Sequence, residues 1–163
     1  MSYGKRIIAS ASIAVARPPA VAFRPIERIG GATGYYAFNW LWHSRGMLDG
    51  FLGGPGLARG RPPRDALRVG DKVDYWHVAE LEPGHRLRLD CEMKLPGRGW
   101  LEFEVTGDAR GSVIRQTTAF DPRGLAGLVY WYGMYPLHQL VFDAMLRAIA
   151  AAAIHEPMDS AQV

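Results

Sequence analysis

One histidine interrupts the apolar face of a predicted helix near the C-terminal end of the chain. Apolar residues at three- and four-residue spacing predict this helix over residues 136–153, with Pro136 in its first turn. At about 100° per residue, His138 lies between Met145 and Ile149 on the side that should be buried. Three roles stay open for His138: a cavity wall, a hydrogen-bonded core residue, or a general acid or base.

A charged pair lies within the apolar stripe of a second predicted helix, over residues 35–52. Arg45 and Asp49 are four residues apart, and they share a side with Phe38, Leu41, Trp42, Leu48 and Leu52. The pair either braces the helix while Arg45 extends to solvent, or lies at the mouth or floor of a cavity. Gly46 weakens the helix, and a break there would change these positions.

Two further polar groups are predicted to face the long helix or its surroundings. Gln116 shares a strand face with Ile114 and Phe120, which places it on the concave wall of the predicted sheet. Its amide is either satisfied by neighbouring backbone or available to a ligand. Tyr132 belongs to the aromatic-rich residues 125–135, which are typical of a core or of the cover of a groove.

Mostly apolar walls with a few converging polar groups describe a small-molecule site. The candidate ligand-binding residues are Trp42, Arg45, Asp49, Gln116, Tyr132 and His138. The favoured function is binding of a hydrophobic or aromatic molecule in this cavity. The alternatives are proton-transfer catalysis by the same polar groups, without an assigned catalytic residue, and a structural or partner-binding role.

Other chemistry finds little support in the sequence. There is no G-x-S-x-G motif, and the five histidines show no H-x-x-x-H spacing, so neither a metal nor a cofactor is predicted. Cys91 is the single cysteine, and its place on an apolar strand face favours an inert core residue over a nucleophile. Residues 53–63 are rich in glycine and arginine but lack nucleotide-binding spacing, which favours a solvated basic loop.

The elements that position these residues follow from the alternation of apolar and polar residues. A first strand is predicted over residues 7–16, then a short helix from Pro19 that Pro25 kinks or splits. Four runs with short turns between them predict an antiparallel meander over residues 72–81, 86–95, 100–106 and 113–120. With the long helix covering its apolar face, the chain is predicted to be a two-layer α+β domain.

The totals narrow the setting of the protein. The 163 residues are 48% hydrophobic and 21% charged with a net charge of +3, which predicts one globular domain over 1–163 and no nucleic-acid partner. We expect residues 155–163 to form a flexible tail. No signal peptide is evident, and the uncharged residues 124–141 are interrupted by glycine and proline, so no membrane span and a cytoplasmic location are predicted.

The element order resembles the helix-grip fold of the START-like (SRPBCC) superfamily, in which a curved antiparallel sheet of about six strands wraps a long C-terminal helix. Particular stretches are similar to one family of unknown function: 29–35 (IGGATGY), 41–49 (LWHSRGMLD), 53–61 (GGPGLARGR), 70–76 (GDKVDYW), 92–97 (EMKLPG), 100–103 (WLEF), 116–120 (QTTAF) and 130–132 (YWY). Members often follow an NAD(P)-binding domain of the short-chain dehydrogenase type. The resemblance implies an internal ligand cavity, cyclase or isomerase activity as an alternative, and a separate oxidoreductase as a possible partner; the oligomeric state stays open.

Overall fold

The computed structural model describes residues 6–30, 34–54, 62–63 and 66–158, and most of the predicted basic loop over residues 53–63 lies outside them. The helices and strands follow the predicted order. They are β1 (Ile7–Val15), α1 (Pro19–Glu27), α2 (Asn39–Phe51), β2 (Lys72–Val73), β3 (Trp76–Glu82), β4 (Arg86–Cys91), β5 (Gly97–Asp108), β6 (Gly111–Pro122) and α3 (Gly124–Ile154).

The strands form one antiparallel sheet in the order β1-β6-β5-β4-β3-β2. β1, the first strand in the sequence, pairs with β6, the last strand. Ile7 lies opposite Phe120 and Val15 opposite Ser112. Strands β3 to β6 are joined by short turns, as the alternating pattern predicts, and the register of β3 shifts between Val78 and Glu80. The α+β fold with six strands and two short helices after the first strand is therefore confirmed.

The apolar face of the sheet packs against α1 and α3. Leu87, Leu89, Leu101 and Phe103 are fully buried, as their alternation along β4 and β5 predicts. They join one core cluster with residues of α1 and α3, among them Phe23, Ile26, Met145 and Ile149. Burial of such a side chain stabilises the fold by about 1.5–3 kcal/mol. The two-layer arrangement is the packing that an amphipathic sheet and helix require.

Helix α3 begins twelve residues before the predicted start, so the prediction that Pro136 opens it is wrong. Pro136 lies inside the helix, where it has no N–H to donate to the carbonyl of Tyr132. Both residues lie on the exposed side of the helix, where the carbonyl of Tyr132 is open to solvent. Leu140, one of the apolar residues whose spacing predicted the buried face of this helix, is 57% exposed. Because the helix spans 31 residues, the aromatic-rich residues 125–135 belong to it.

Helix α2 begins at Asn39, four residues after the predicted start, because the preceding chain turns sharply. Tyr36 and Phe38 both have positive φ, of 65° and 50°, which no helix residue adopts. The Asn39 side chain accepts a hydrogen bond from the backbone N–H of Tyr35 at 2.9 Å, which closes this turn. The helix continues through Gly46 without a break, and Leu48 and Leu52 are exposed rather than buried as predicted.

Among the described residues, α3 is the one helix that is long and apolar enough to cross a membrane. The core helix of a globular domain passes the same test, and the inner side of α3 is buried against the sheet and α1. Its outer side is apolar in the first half, with Leu125, Val129 and Tyr132 exposed.

The predicted flexible tail begins as an anchored segment. Arg24 donates a hydrogen bond to the carbonyl oxygen of Pro157 at 2.6 Å, and Arg28 pairs with Glu156. Arg24 lies in the last turn of α1 and Arg28 is the residue directly after it, so residues 156–157 are attached to the end of that helix. Residues 159–163 of the predicted tail lie outside the described residues.

Candidate functional site

A cavity of about 130 Å³ lies between the sheet, α2 and α3. Its wall is mostly apolar, and each layer of the fold contributes to it. Leu41, Trp42 and Arg45 come from α2, Trp76, Cys91 and Phe120 from the sheet, and Trp131, His138 and Phe142 from α3. Three of the predicted ligand-binding residues, Trp42, Arg45 and His138, therefore line one cavity.

Ring contacts run continuously around this wall. Trp42 meets Phe142 edge to face at 5.7 Å, and Phe142 lies 5.8 Å from the ring of His138. His138 lies 5.3 Å from Trp131, which stacks on Phe120 at 5.4 Å between ring centroids. Aromatic pairs at these separations are favourable beyond their buried area, so the wall is well defined in shape.

Three polar side chains of the wall carry a buried nitrogen without a hydrogen-bond partner. They are Nη1 of Arg45, Nε1 of Trp76 and Nδ1 of His138. By contrast, Nε1 of Trp42 donates to the carbonyl oxygen of Ala37 at 3.2 Å. Most buried polar atoms in proteins have partners, so three exceptions on one small cavity indicate an incomplete site.

Burial lowers the pKa of His138 below its usual value of 6.5, and the positive charge of Arg45 lowers it further. Both effects disfavour the imidazolium, because it is desolvated and lies near a like charge. His138 is therefore neutral at pH 7, so one ring nitrogen is a potential donor and the other a potential acceptor. A neutral imidazole in the cavity is able to accept a proton from a bound molecule.

Cys91 lines the cavity, and burial raises the pKa of its thiol to about 12. The thiolate is the reactive form of cysteine, so the thiol is nearly inert at neutral pH. The prediction of an unreactive residue on the apolar strand face agrees with this environment.

Asp49 does not share the cavity with Arg45. Its side chain is fully buried, and Oδ1 accepts a hydrogen bond from the backbone N–H of Lys94 at 2.6 Å. No ion pair between Arg45 and Asp49 occurs among the described residues, so the predicted pair is absent there. The two residues are about 40° apart around α2, which is enough for Asp49 to turn toward the chain after β4.

Tyr132 also lies away from the cavity and is 68% exposed, although we predicted that it contributes to the site. It follows Trp131 directly, and about 100° of helix rotation turns it to solvent.

Gln116 borders a second, more polar groove of about 310 Å³ between β1, β6 and α3, which His138 also lines. Its Nε2 donates to the carbonyl oxygen of Phe142 at 3.0 Å, while its buried Oε1 has no partner. The amide therefore ties β6 to α3 and leaves one acceptor available at the boundary of the two spaces.

No group of three or more histidine, cysteine, aspartate or glutamate side chains is placed to hold a metal ion among the residues that the structure describes.

A family model matches residues 8–145 of this chain. Its description is "Protein of unknown function (DUF2867)". The chain belongs to this family. No curated protein matches the DUF2867 chain.

Solved structures similar to the DUF2867 chain share its fold at low sequence identity. Protein CV1439 of Chromobacterium violaceum is 15% identical with a TM-score of 0.53, over 91% of this chain and 98% of that one. Zhui aromatase/cyclase of Streptomyces sp. R1128 is 13% identical with a TM-score of 0.54, over 91% and 94%. Norcoclaurine synthase of Thalictrum flavum is 13% identical with a TM-score of 0.53, over 96% and 99%. These matches confirm the helix-grip fold; the oxidoreductase partner and the cytoplasmic location stay predictions.

Sequence reasoning missed several residues of the DUF2867 cavity, chiefly Trp76, Trp131 and Phe142. Trp131 and Phe142 are seven residues before and four after His138, which places all three on neighbouring positions of one helix face. That signal is present in the sequence once the helix is allowed to continue through Pro136. Trp76 shares a strand face with Val78, so strand alternation alone points it inward.

Proposed function

We propose that this DUF2867 protein binds a small aromatic molecule, about one ring in size, in the cavity between the sheet and α3. The observation that carries the proposal is the cavity itself, with its volume of about 130 Å³ and its aromatic wall. An apolar cavity of about 150 Å³ is able to hold benzene. Offset and edge-to-face contacts with the wall would orient a flat ring.

The volume argues for a small ligand. Typical pockets for drug-sized molecules measure about 300–1,000 Å³, well above the volume here. A ligand of several fused rings would therefore fit only in part and would extend beyond this volume. One structural relative is named an aromatase/cyclase, which supports an aromatic ligand class without specifying its size.

Tryptophan fluorescence gives a direct binding assay. Trp42, Trp76, Trp100 and Trp131 line the cavity, which is four of the five tryptophans in the chain. Titration with toluene should change their emission to saturation and raise the melting temperature, because binding to the folded state stabilises it. Anthracene, with three fused rings, should have a far smaller effect at equal free concentration.

A matched pair of variants separates cavity binding from binding elsewhere. Gly99→Leu places a larger side chain beside Leu95 and Phe120 on the cavity wall and should abolish the toluene response. Gly133→Leu adds the same side chain on α3, where a Cβ has no neighbour within 4 Å, and should leave the response intact. Loss of binding in both variants, or in neither, would contradict the proposal.

A cyclase or isomerase activity is the second candidate, and the neutral imidazole of His138 on the cavity wall favours it. A base there should remove a proton from the carbon beside the carbonyl of a bound aryl ketone. Deuterium exchange of the acetophenone methyl group, followed by NMR, measures this step. Catalysed exchange that falls about 100-fold in His138→Gln would support catalysis, and exchange equal to buffer would leave binding alone.

A further inference from the structure

We infer that the natural ligand of the cavity is an aromatic carboxylate whose carboxylate group pairs with Arg45. This inference rests on the proposed function, which requires only a ring-sized aromatic molecule. It adds the chemical group that the polar part of the wall is built to receive.

Arg45 brings an unsatisfied hydrogen-bond donor to the cavity wall. Its Nη1 is buried without a hydrogen-bond partner, and its side chain lines the cavity. A guanidinium is always protonated and only donates hydrogen bonds, so it needs an acceptor. The Arg45 side chain is half-buried, and burying part of a cation without a counter-charge costs free energy.

Among the residues that the structure describes, no acid supplies such a counter-charge to Arg45 at this place. No aspartate or glutamate is among the described residues that line the cavity. Asp49, the acid four residues along α2, is fully buried and directs Oδ1 to the backbone N–H of Lys94. The missing negative charge is therefore expected from the ligand.

Nε1 of Trp76, on the same wall, is also a donor only; it is buried and makes no hydrogen bond of normal geometry, with the Tyr35 hydroxyl near it. Arg45 and Trp76 thus present donors to this wall, and each oxygen of a carboxylate accepts hydrogen bonds. An aromatic amine would instead bring donors, and in its charged form a positive charge, to a wall that already carries both.

The remaining wall suits the ring of such a ligand. Trp131, Phe142 and Trp42 form the aromatic part of the cavity wall, and their side chains carry no charge. His138 is neutral, so it adds no competing cation and offers either a donor or an acceptor at Nδ1. Benzoate is the smallest molecule that combines a ring with a carboxylate.

The test compares benzoate with benzamide, which has nearly the same shape and no charge. In the unmodified protein, tryptophan fluorescence should give a dissociation constant for benzoate about tenfold or more below that for benzamide, as a charged hydrogen bond predicts. Arg45→Met should remove this preference while benzamide affinity changes by about twofold or less. Arg147→Met, which changes an exposed arginine of α3, should retain the preference.

A second measurement needs no ligand. Arg45→Met should raise the melting temperature of the ligand-free protein, because it removes a half-buried charge whose Nη1 has no partner and keeps most of the volume. Arg45→Lys keeps the charge, so it should not raise the melting temperature and should retain part of the benzoate preference.

The outcomes are distinct. If benzamide binds as tightly as benzoate, or if the preference survives in Arg45→Met, the inference is overturned while the proposed aromatic binding stands. If neither compound nor toluene binds, both are overturned. A lower melting temperature in Arg45→Met, with the benzoate preference unchanged, would assign Arg45 to the core instead.

Discussion

His138 is held in a place where gaining a proton works against folding. Burial and the charge of Arg45 lower its pKa in the folded state, whereas an unfolded chain leaves it near 6.5. Between these two pKa values, the unfolded chain binds more protons than the folded one. Stability linked to His138 is therefore fully present above pH 6.5 and is lost as the pH falls through the folded-state pKa.

The His138→Gln variant should show a weaker acid sensitivity than the unmodified protein. Glutamine keeps a polar side chain but has no proton to gain, so the free energy of unfolding should decline less between pH 7.5 and pH 5. Urea unfolding at both pH values measures this, and the carboxyl contributions cancel when the two proteins are compared. An equal decline in both proteins would contradict a lowered pKa for His138.

Asp49 should matter for stability and not for ligand binding. Asp49→Ala leaves the N–H of Lys94 without its acceptor and is expected to cost about 1–3 kcal/mol of unfolding free energy. Asp49→Asn retains an oxygen at Oδ1 and should cost clearly less. Both variants should keep the toluene response, because Asp49 is not on the cavity wall; a loss of that response in Asp49→Asn would show that it contributes to the site.

At the scale of residues, the sequence predicted three of the six candidate positions on the cavity wall. His138 stands out because a polar residue on an apolar helix face is a local signal. Tyr132 and Asp49 were wrongly placed on the cavity wall. A rotation of about 40–100° around a helix is enough to turn a side chain away from the cavity, and that direction depends on where the helix begins and ends. The role of Lys94 as partner of Asp49 depends on contact across 45 residues, which no local pattern records.

At the scale of elements, Pro136 is a weak point in α3. A proline in a helix interior costs about 3 kcal/mol relative to alanine, because it lacks a donor and crowds the preceding turn. Pro136→Ala should therefore raise the free energy of unfolding by about 1–3 kcal/mol, since part of the gain is lost to the more flexible unfolded chain. Thermal and urea unfolding measure the change.

Pro19 is the matched control for that prediction. It lies in the first turn of α1, where the missing N–H has no helical partner and the fixed φ suits the helix. Pro19→Ala should leave stability unchanged or reduce it. If both substitutions had the same effect, the position of Pro136 within α3 would not explain its cost.

Sequence patterns predicted the strands better than the helices. In β4 to β6, apolar and polar residues alternate with a period of two, and short turns fix how neighbouring strands pair. The strands are therefore identified correctly even when their predicted ends are off by one or two residues. The start of α3 was missed because proline usually opens or ends a helix, and here the exposed side of the helix tolerates it. The start of α2 was missed because Tyr36 and Phe38 adopt positive φ, which is not expected from their residue types.

At the scale of the whole molecule, the sheet should differ in stability from one edge to the other. β5 and β6 pair over twelve residues in the middle of the sheet, whereas β2 has two residues and forms an edge. Amide hydrogens of β5 and β6 should exchange only on global unfolding, and those of β2 by local opening. Hydrogen exchange followed by mass spectrometry measures the order, and equal protection of β2 and β6 would contradict it.

The position of Cys91 has a practical consequence for detecting an occupant of the cavity. It is the single cysteine of the chain, it lies half-buried on the cavity wall, and burial raises the pKa of its thiol to about 12. Alkylation by iodoacetamide should therefore be slow in the folded protein and much faster once urea unfolds the chain, because the thiol pKa then returns to its ordinary value. A molecule bound in the cavity should slow the reaction of the folded protein further, so the alkylation rate of Cys91 reports whether the cavity is filled.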